Sequence, residues 1–198
     1  MVLKLADAVR ESDLVTRVDR NTMDFVVRHR VGWISHVART VTLFGNGLVV
    51  ASVVVVSVVF FLLRRRFFDA LFLGLSSAGT AVLVAVVKHL IDRPRPVATL
   101  RLVAATGAAF PSGHAAQSVA CYGALAFVVV RSTRSRRARV LAVTAAAFVA
   151  FAIGASRVYL GVHWPSDVVS GWMIATGLLL TLAGAREMLD GVGRDDST

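Results

Sequence analysis

Cysteine and acidic residues are scarce in this sequence of 198 residues. The single cysteine, Cys121, excludes an internal disulfide and a zinc cluster built from cysteines. The chain also lacks a phosphate-binding P-loop motif and any cluster of carboxylates that could hold two metal ions. His29, His36 and His89 show no obvious metal-ligand spacing. We therefore expect neither a metal nor another cofactor.

Charge is also low and mostly of one sign, while apolar residues are abundant. Charged residues make up 17% of the chain, with 22 basic residues against 12 acidic ones. Hydrophobic residues make up 56%, above the roughly 45–50% of soluble globular proteins, and the mean hydropathy is positive. Because the basic residues lie between long apolar runs, the pattern favours a membrane protein over one that binds nucleic acid. We expect the lipid bilayer, and no nucleic acid, as a partner.

Five apolar runs are long enough, or nearly so, to cross a bilayer as helices. The third and fourth are short by this criterion, and a helix can extend by a turn into the interface at each end. The sequence therefore predicts an all-α, integral-membrane bundle of about five transmembrane helices. Their approximate limits are residues 41–63, 67–87, 115–130, 140–155 and 168–185.

Residues 1–40 are too polar to cross a bilayer, because arginines alternate there with apolar side chains such as Leu14, Val18 and Phe25. The pattern predicts an amphipathic helix at the membrane interface, with a mobile tail as the alternative. It does not resemble a signal peptide. Residues 41–186 would then form the transmembrane domain, and residues 187–198 a polar C-terminal tail.

Two connections between the predicted spans are strongly basic. Arg64, Arg65 and Arg66 follow the first span, and residues 131–139 contain five arginines after the third. Basic loops favour the cytoplasm, so the connections at 88–114 and 157–167 should lie together on the outer face of the cytoplasmic membrane. The basic N-terminal segment would lie outside too, against a simple charge count, and its five acidic residues soften that conflict.

The first outward connection begins with a group of cations. Lys88 closes the second span, and Arg95 follows in a turn that prolines end and stiffen. A lysine and one or two arginines on a rigid turn suit a phosphate, arginine through its planar fork and lysine as a point charge. The alternative is that these basic side chains at a helix end only extend into the membrane–water interface.

Ser112, Gly113 and His114 stand just before the third span. A helix N-terminus offers unpaired backbone N–H groups to an anion, and a histidine can transfer a proton near neutral pH. A plain helix cap at Ser112 followed by a turn glycine explains those two residues equally well. It explains His114 less well.

Arg157, His163 and Asp167 form the third group. Pro165 indicates a helix start, so the four-residue gap between His163 and Asp167 allows their side chains to meet. An aspartate that accepts from one imidazole nitrogen leaves the other free as a nucleophile. A structural hydrogen bond is the alternative. An even number of spans separates the two outward connections, so all three groups can form one site.

The three groups together resemble the signature of the type 2 phosphatidic acid phosphatase superfamily. The resemblance spans Lys88 to Asp167. Its three parts are Lys88 with six residues before Arg95-Pro96, Pro111-Ser112-Gly113-His114, and Ser156-Arg157 with five residues before His163 and three before Asp167.

The resemblance implies a metal-independent membrane phosphatase that cleaves the terminal phosphate of a lipid phosphate or polyprenyl pyrophosphate. His163 would attack phosphorus and form a phosphohistidine, and Asp167 would orient it. His114 would protonate the leaving oxygen and then activate water. The groups implied to hold the phosphoryl oxygens are Lys88, Arg95, Arg157, the Ser112 hydroxyl and the Gly113 backbone N–H.

The sequence departs from familiar bacterial lipid phosphatases of the superfamily, which have six spans. Residues 14–39 resemble the outward segment that follows the first span in those relatives, so the first helix is the expected missing piece. We expect the catalytic bundle to be intact, and a homodimer is one way in which a second subunit could complete the fold.

Two other functions would use the same anion pocket. Vanadate-dependent haloperoxidases belong to the same superfamily but are typically soluble and larger, so five spans argue against that activity. A small anion transporter or phospholipid-binding membrane protein would bind without catalysis. The choice between phosphatidic acid, phosphatidylglycerol phosphate, a polyprenyl pyrophosphate and a prenyl-phosphate sugar stays open, because helix faces and residues 97–110 would select the lipid.

Overall fold

The computed structural model describes residues 13–195, which form helices and connecting loops with no strand among them. The all-α prediction is confirmed. The helices are α1 (Asp13–Arg28), α2 (Gly32–Leu43), α3 (Gly47–Leu63), α4 (Phe67–Ile91), α5 (Gly113–Ser132), α6 (Arg136–Tyr159) and α7 (Pro165–Asp195), with a 3-10 turn at Ala98–Leu100 and a π-helical turn inside α5 at Val119–Gly123.

Four of these helices, α4 to α7, are long and apolar enough to cross a membrane. A fifth span results if α2 and α3, which meet at an angle of 44°, are taken as one bent span. This confirms the prediction of about five spans. The third and fourth spans, at 20 and 24 residues, are longer than the sequence indicated.

The first predicted span is broken rather than continuous. Phe44, Gly45 and Asn46 separate α2 from α3, and the Asn46 side chain accepts a hydrogen bond from the backbone N–H of Leu48 at 2.9 Å. An asparagine in this position starts a new helix, because it satisfies an N–H group that lacks a partner in the first turn. The apolar run therefore contains a bend near the end of the bundle.

Small side chains line the inside of the bundle, and large apolar ones cover its outside. Ala115, Ala120 and Ala175 are completely buried, so α5 and α7 can pack closely. Leu141 and Phe148, two turns apart on the same face of α6, are exposed over about 70% of their surfaces. Exposed apolar surface of this extent suits contact with lipid tails.

The N-terminal segment forms two helices, α1 and α2, where the sequence indicated one. Helix α1 packs on α6 and α7. Its Met23 is buried, whereas Leu14 and Phe25 on another face are exposed, as expected for an amphipathic helix at an interface. The Arg30 guanidinium, just after α1, donates two hydrogen bonds to the Tyr159 carbonyl at 2.9 and 3.1 Å. The N-terminal segment is thus joined to the bundle at the C-terminal end of α6.

Two loops converge at that same end of the bundle. Gly161, between α6 and α7, has φ of +72°, and a Cβ there would lie 2.3 Å from the Leu100 carbonyl oxygen. Only glycine avoids both the strain and the collision. The backbone N–H of Leu102 also donates to the Leu160 carbonyl at 2.9 Å, which ties the α4–α5 loop to the α6–α7 connection.

At the C-terminal end, α7 continues through residues 187–195, which the sequence assigned to a polar tail.

Candidate active site

Backbone carbonyls hold the two cations of the first group. Lys88, in the last turn of α4, donates to the Ala108 carbonyl at 2.5 Å. Arg95 donates through Nε to Gly107 at 2.9 Å and through Nη1 to Val162 at 2.8 Å. Because these acceptors come from two different loops, the plane of the guanidinium is fixed at the convergence of both connections.

Helix α5 begins at Gly113, directly after a completely buried Ser112. Ser112 stands at the capping position, but its side chain makes no capping hydrogen bond, and its hydroxyl has no partner among residues 13–195. Its backbone N–H donates to the Asp167 carbonyl at 2.9 Å. The hydroxyl is therefore not used as a plain cap, and a buried hydroxyl without a partner costs free energy until something binds it. His114 lies one residue into the helix and is half-buried.

His163 and Asp167 meet at the start of α7. Both are buried, and Nδ1 of His163 lies 3.5 Å from Oδ2 of Asp167, which is too long to count as a hydrogen bond, so Nδ1 has no hydrogen-bond partner among residues 13–195. Asp167 Oδ2 also accepts from the Trp164 backbone N–H at 2.8 Å. A carboxylate at the third helical position that reaches back to the residue before the helix is half of a capping box, which explains why Asp167 sits here.

The proton on His163 can be assigned from its neighbours. Nη1 of Arg95 lies 3.1 Å from Nε2 of His163. Arginine only donates, so Nε2 must accept, and the neutral ring carries its proton on Nδ1, toward Asp167. Burial lowers the pKa of His163 to about 4; Asp167 opposes this, and the charges of Arg95 and Arg157 reinforce it. At neutral pH the ring is uncharged, with an electron pair on Nε2.

The remaining predicted residue, Arg157, lies buried in the last turn of α6. Nη1 donates to the Thr42 hydroxyl at 2.8 Å, and Nε has no hydrogen-bond partner within the described part of the chain. His114 lies within electrostatic reach of Arg157, His163, Arg95 and Lys88. The eight residues singled out from the sequence therefore converge at one end of the bundle.

Sequence reasoning missed two charged residues, Asp19 and Arg93. Nη1 of Arg93 donates to Asp167 at 2.6 Å, and Nη2 donates to Asp19 at 2.7 Å. The proline-rich turn that contains Arg95 gave a weak signal for Arg93. Asp19 gave none, because a single acidic residue in an amphipathic helix is ordinary.

Two cavities meet at His114. A polar cavity of about 520 Å³, which we term the polar basin, is lined in part by His36, Arg39, Thr42, Asn46, His114 and Arg157. An apolar cavity of about 600 Å³, which we term the apolar groove, runs between α3, α4 and α5 and also reaches His114. Its apolar lining includes Val50, Ala51, Val54, Ala78, Ala81 and Val84.

A third, polar cavity of about 390 Å³ is lined in part by Asp19, Arg93, Arg95 and Trp164. Nowhere in residues 13–195 do three or more histidine, cysteine or acidic side chains come together as a possible metal site.

Comparison with known proteins assigns this arrangement to a family. The family model of the PAP2 superfamily matches residues 69–188, more than half of the chain. Phosphatidylglycerophosphatase B of Bacillus subtilis is 28% identical over 189 residues, which cover 94% of this chain and 92% of that protein. Undecaprenyl-diphosphatase of Sulfolobus acidocaldarius is 35% identical over 71 residues, covering 36% of this chain and 30% of that protein.

Solved structures show the same architecture. The crystal structure of the transmembrane PAP2 type phosphatidylglycerolphosphate phosphatase from Bacillus subtilis matches with a TM-score of 0.87 and 27% identity, covering 94% of this chain and 92% of that one. LpxE of Aquifex aeolicus matches with a TM-score of 0.63 and 23% identity, over 82% and 92% of the two chains. The second match shows the fold alone.

The buried neutral His163 predicts a specific loss of stability in acid. An unfolded histidine has a pKa of about 6.5, whereas folding lowers the pKa of His163 to about 4, so between these values only the unfolded chain binds the proton. As pH falls through this window, His163 should remove up to about 3 kcal/mol from the free energy of unfolding. Thermal unfolding in detergent should therefore depend on pH more steeply in wild type than in His163→Gln.

An exposed histidine provides the control for this measurement. His89→Gln should keep the wild-type pH dependence, since His89 lies near the same end of the bundle but outside its interior. If His163→Gln and wild type lose stability equally between pH 7 and pH 4.5, His163 is not held neutral by burial.

Proposed function

This chain belongs to the PAP2 superfamily and is a membrane lipid phosphatase, and from that premise we propose that it removes the terminal phosphate of its lipid without a metal, through a phosphohistidine at His163. The observation that carries the proposal is the state of His163. Its ring is buried and neutral, with Nδ1–H toward Asp167 and the electron pair of Nε2 facing Arg95. A nucleophile with an orienting partner has this arrangement.

The reaction would proceed in two displacements. First, Nε2 of His163 attacks phosphorus, the bond from phosphorus to the lipid oxygen breaks, and that oxygen takes a proton from the imidazolium form of His114, which becomes neutral. Then His114 takes a proton from water, which attacks the phosphohistidine and releases inorganic phosphate and neutral His163. Arg95 gives up its bond to Nε2 when phosphate enters, and the N–H of Nη1 released in this way donates to a phosphoryl oxygen.

Three cations and two neutral donors would hold the transferring phosphoryl group. Lys88, Arg95 and Arg157 approach from α4, its following loop and α6, so positive charge surrounds the reacting phosphorus. The unpartnered Ser112 hydroxyl and the N–H of Gly113 at the start of α5 supply the neutral hydrogen bonds. Donors fixed in place before the reaction stabilise the charge that develops in the transition state.

The two cavities at His114 support a proposed position for the lipid. In an in-line displacement the leaving oxygen stands opposite His163, on the side of the proton donor His114. The polar basin and the apolar groove both open on that side. The acyl or prenyl chain would occupy the groove. His36 and Arg39 in the basin would face a second anionic group between the scissile phosphate and the chain, which favours lipids with two phosphates.

The site would face the outside of the cytoplasmic membrane. The two basic connections lie together at the opposite end of the bundle, where Arg66 donates to the Ser132 hydroxyl at 2.5 Å. Arginine-rich loops at that end favour the cytoplasm. Helix α1 packs at the end that carries the site, so the basic N-terminal segment would lie outside as well.

The purified protein in detergent should release inorganic phosphate from lipid phosphates in the presence of EDTA. His163→Ala should lower kcat by about 1,000-fold or more, because no other group can form the intermediate. His89→Ala is the matched control and should retain full activity. Loss of turnover on chelation would contradict the metal-free chemistry. Unchanged turnover in His163→Ala would contradict the nucleophile, and lipid binding without any turnover would favour a transporter.

Gly45, in the break between α2 and α3, should be required for the placement of His114. A Cβ at Gly45 would lie 2.5 Å from Cγ2 of the buried Ile153 and 3.2 Å from Cβ of His114. Gly45→Ala should displace His114 and lower kcat by about 10- to 100-fold, with little change in KM. Gly47→Ala is the control, since a Cβ there meets no described atom within 4 Å. Equal activities of the two variants would contradict this role.

Arg39 should discriminate between lipid classes. Arg39→Gln should raise KM about tenfold for phosphatidylglycerol phosphate and for a polyprenyl pyrophosphate, because a charged hydrogen bond to the second phosphate is lost. KM for phosphatidic acid, which has one phosphate, should stay unchanged. Arg28→Gln, at an exposed arginine of α1, controls for the change in net charge. An equal rise in KM for all three lipids would contradict the second phosphate in the basin.

A further inference from the structure

A row of three charges, in which two buried carboxylates flank a partly buried guanidinium, connects helix α1 with the aspartate beside His163. Asp19 on α1 and Asp167 on α7 are 2% and 0% exposed. Arg93 lies between them, 2.7 Å from the Asp19 carboxylate and 2.6 Å from the Asp167 carboxylate. One guanidinium thus spans two carboxylates that come from opposite ends of the sequence.

Asp19 also holds the first turn of α7. Its Oδ1 accepts from the Ser166 backbone N–H at 3.0 Å, and its Oδ2 accepts from the Ser166 hydroxyl at 2.5 Å. The same hydroxyl oxygen accepts from Arg93 at 2.7 Å. A carboxylate at a helix N-terminus satisfies unpaired N–H groups and is favoured by the helix dipole. Here that carboxylate is supplied by another helix.

The orientation of α1 follows from its side chains. Asp19 and Met23, four residues apart, are buried on one face. Leu14, Val18 and Phe25 form an exposed apolar stripe on the opposite face. With the stripe toward the lipid interface, the Asp19 face is directed at α7, so the position of α1 decides whether Asp19 reaches Arg93.

The charges in this row must balance, because each buried charge that loses its partner destabilises the site. The groups facing His163 are Asp167 on α7, Arg95 in the α4–α5 loop, Arg157 on α6 and His114 on α5. Behind Asp167, Arg93 adds a positive charge and Asp19 cancels it. Removal of Asp19 would leave Arg93 in excess, and removal of Arg93 would leave two carboxylates without a cation.

We propose that Asp19 and Arg93 are positioning residues of the phosphatase reaction, which hold the Asp167 carboxylate against Nδ1–H of His163 and make helix α1 part of the active site. The inference rests on the proposed function, because both residues act through His163. It assigns a role in catalysis to a segment outside the signature Lys88–Asp167.

The test compares kcat, KM and the pH dependence of kcat/KM for Asp19→Asn, Arg93→Gln and the double variant, with phosphatidylglycerol phosphate in detergent micelles. Both single variants should lose about 10- to 100-fold in kcat with little change in KM, because the nucleophile is misaligned. The acidic limbs of their pH profiles of kcat/KM should move in opposite directions. Excess positive charge in Asp19→Asn lowers the pH at which His163 is protonated, and excess negative charge in Arg93→Gln raises it.

The double variant should restore the wild-type acidic limb, since the net charge behind Asp167 is again that of wild type. A purely structural role would lower the unfolding temperature without opposite shifts. The control pair, Arg66 and Asp69, forms a 2.6 Å ion pair at the other end of the bundle. Arg66→Gln and Asp69→Asn should leave kcat and the pH profile unchanged.

The outcomes separate this inference from the proposed function. If wild type turns over and His163→Ala does not, but Asp19→Asn and Arg93→Gln keep wild-type kcat and acidic limbs, the inference is overturned while the phosphatase stands. If wild type releases no phosphate, the proposed function fails. Should the charge-removing variants not fold, Asp19→Glu and Arg93→Lys retain the charges. In these two variants, a reduced kcat together with the wild-type acidic limb of the pH profile would support the positioning role. An unchanged kcat would overturn it.

Discussion

The balance of charge around the buried Asp167 carboxylate is the interaction on which the site depends. Asp167 faces His163 at 3.5 Å and Arg93 at 2.6 Å, and it accepts the Trp164 N–H that starts α7. An isolated buried charge would be strongly unfavourable, so these partners offset the cost of burying the carboxylate inside the bundle. The orientation of His163, the start of α7 and the docking of α1 through Asp19 are consequences of that requirement.

A rigid membrane scaffold makes this balance possible. Alanines that are completely buried let α5 and α7 approach closely, so the loops at the bundle end have little freedom. The break between α2 and α3 brings Gly45 against His114 and separates the polar basin from the apolar groove. One bundle end therefore combines the cations proposed to hold phosphate, the groove proposed for the lipid chain and a bend beside the proposed proton donor.

The spans could be predicted from sequence, and so could the convergence of the eight candidate residues, because both depend on local patterns. Apolar run length gives the spans, and the parity of spans brings the two outward connections together. The bend at Phe44–Asn46 was missed because the apolar run continues through it, although Gly45-Asn46-Gly47 is a helix-breaking sequence. Asp19 was missed because its burial depends on a contact with Arg93, 74 residues away along the chain. Long-range charge pairing leaves no periodic signal.

The most direct test of the account is to trap the intermediate. Wild-type protein and His114→Ala, mixed with ³²P-labelled lipid substrate and quenched in alkali within the first turnover, should carry phosphate that is stable in alkali and lost in acid, as expected for a phosphohistidine. Peptide mass spectrometry should place it on His163. Label on another residue, or turnover without any labelled protein in either case, would contradict His163 as the nucleophile.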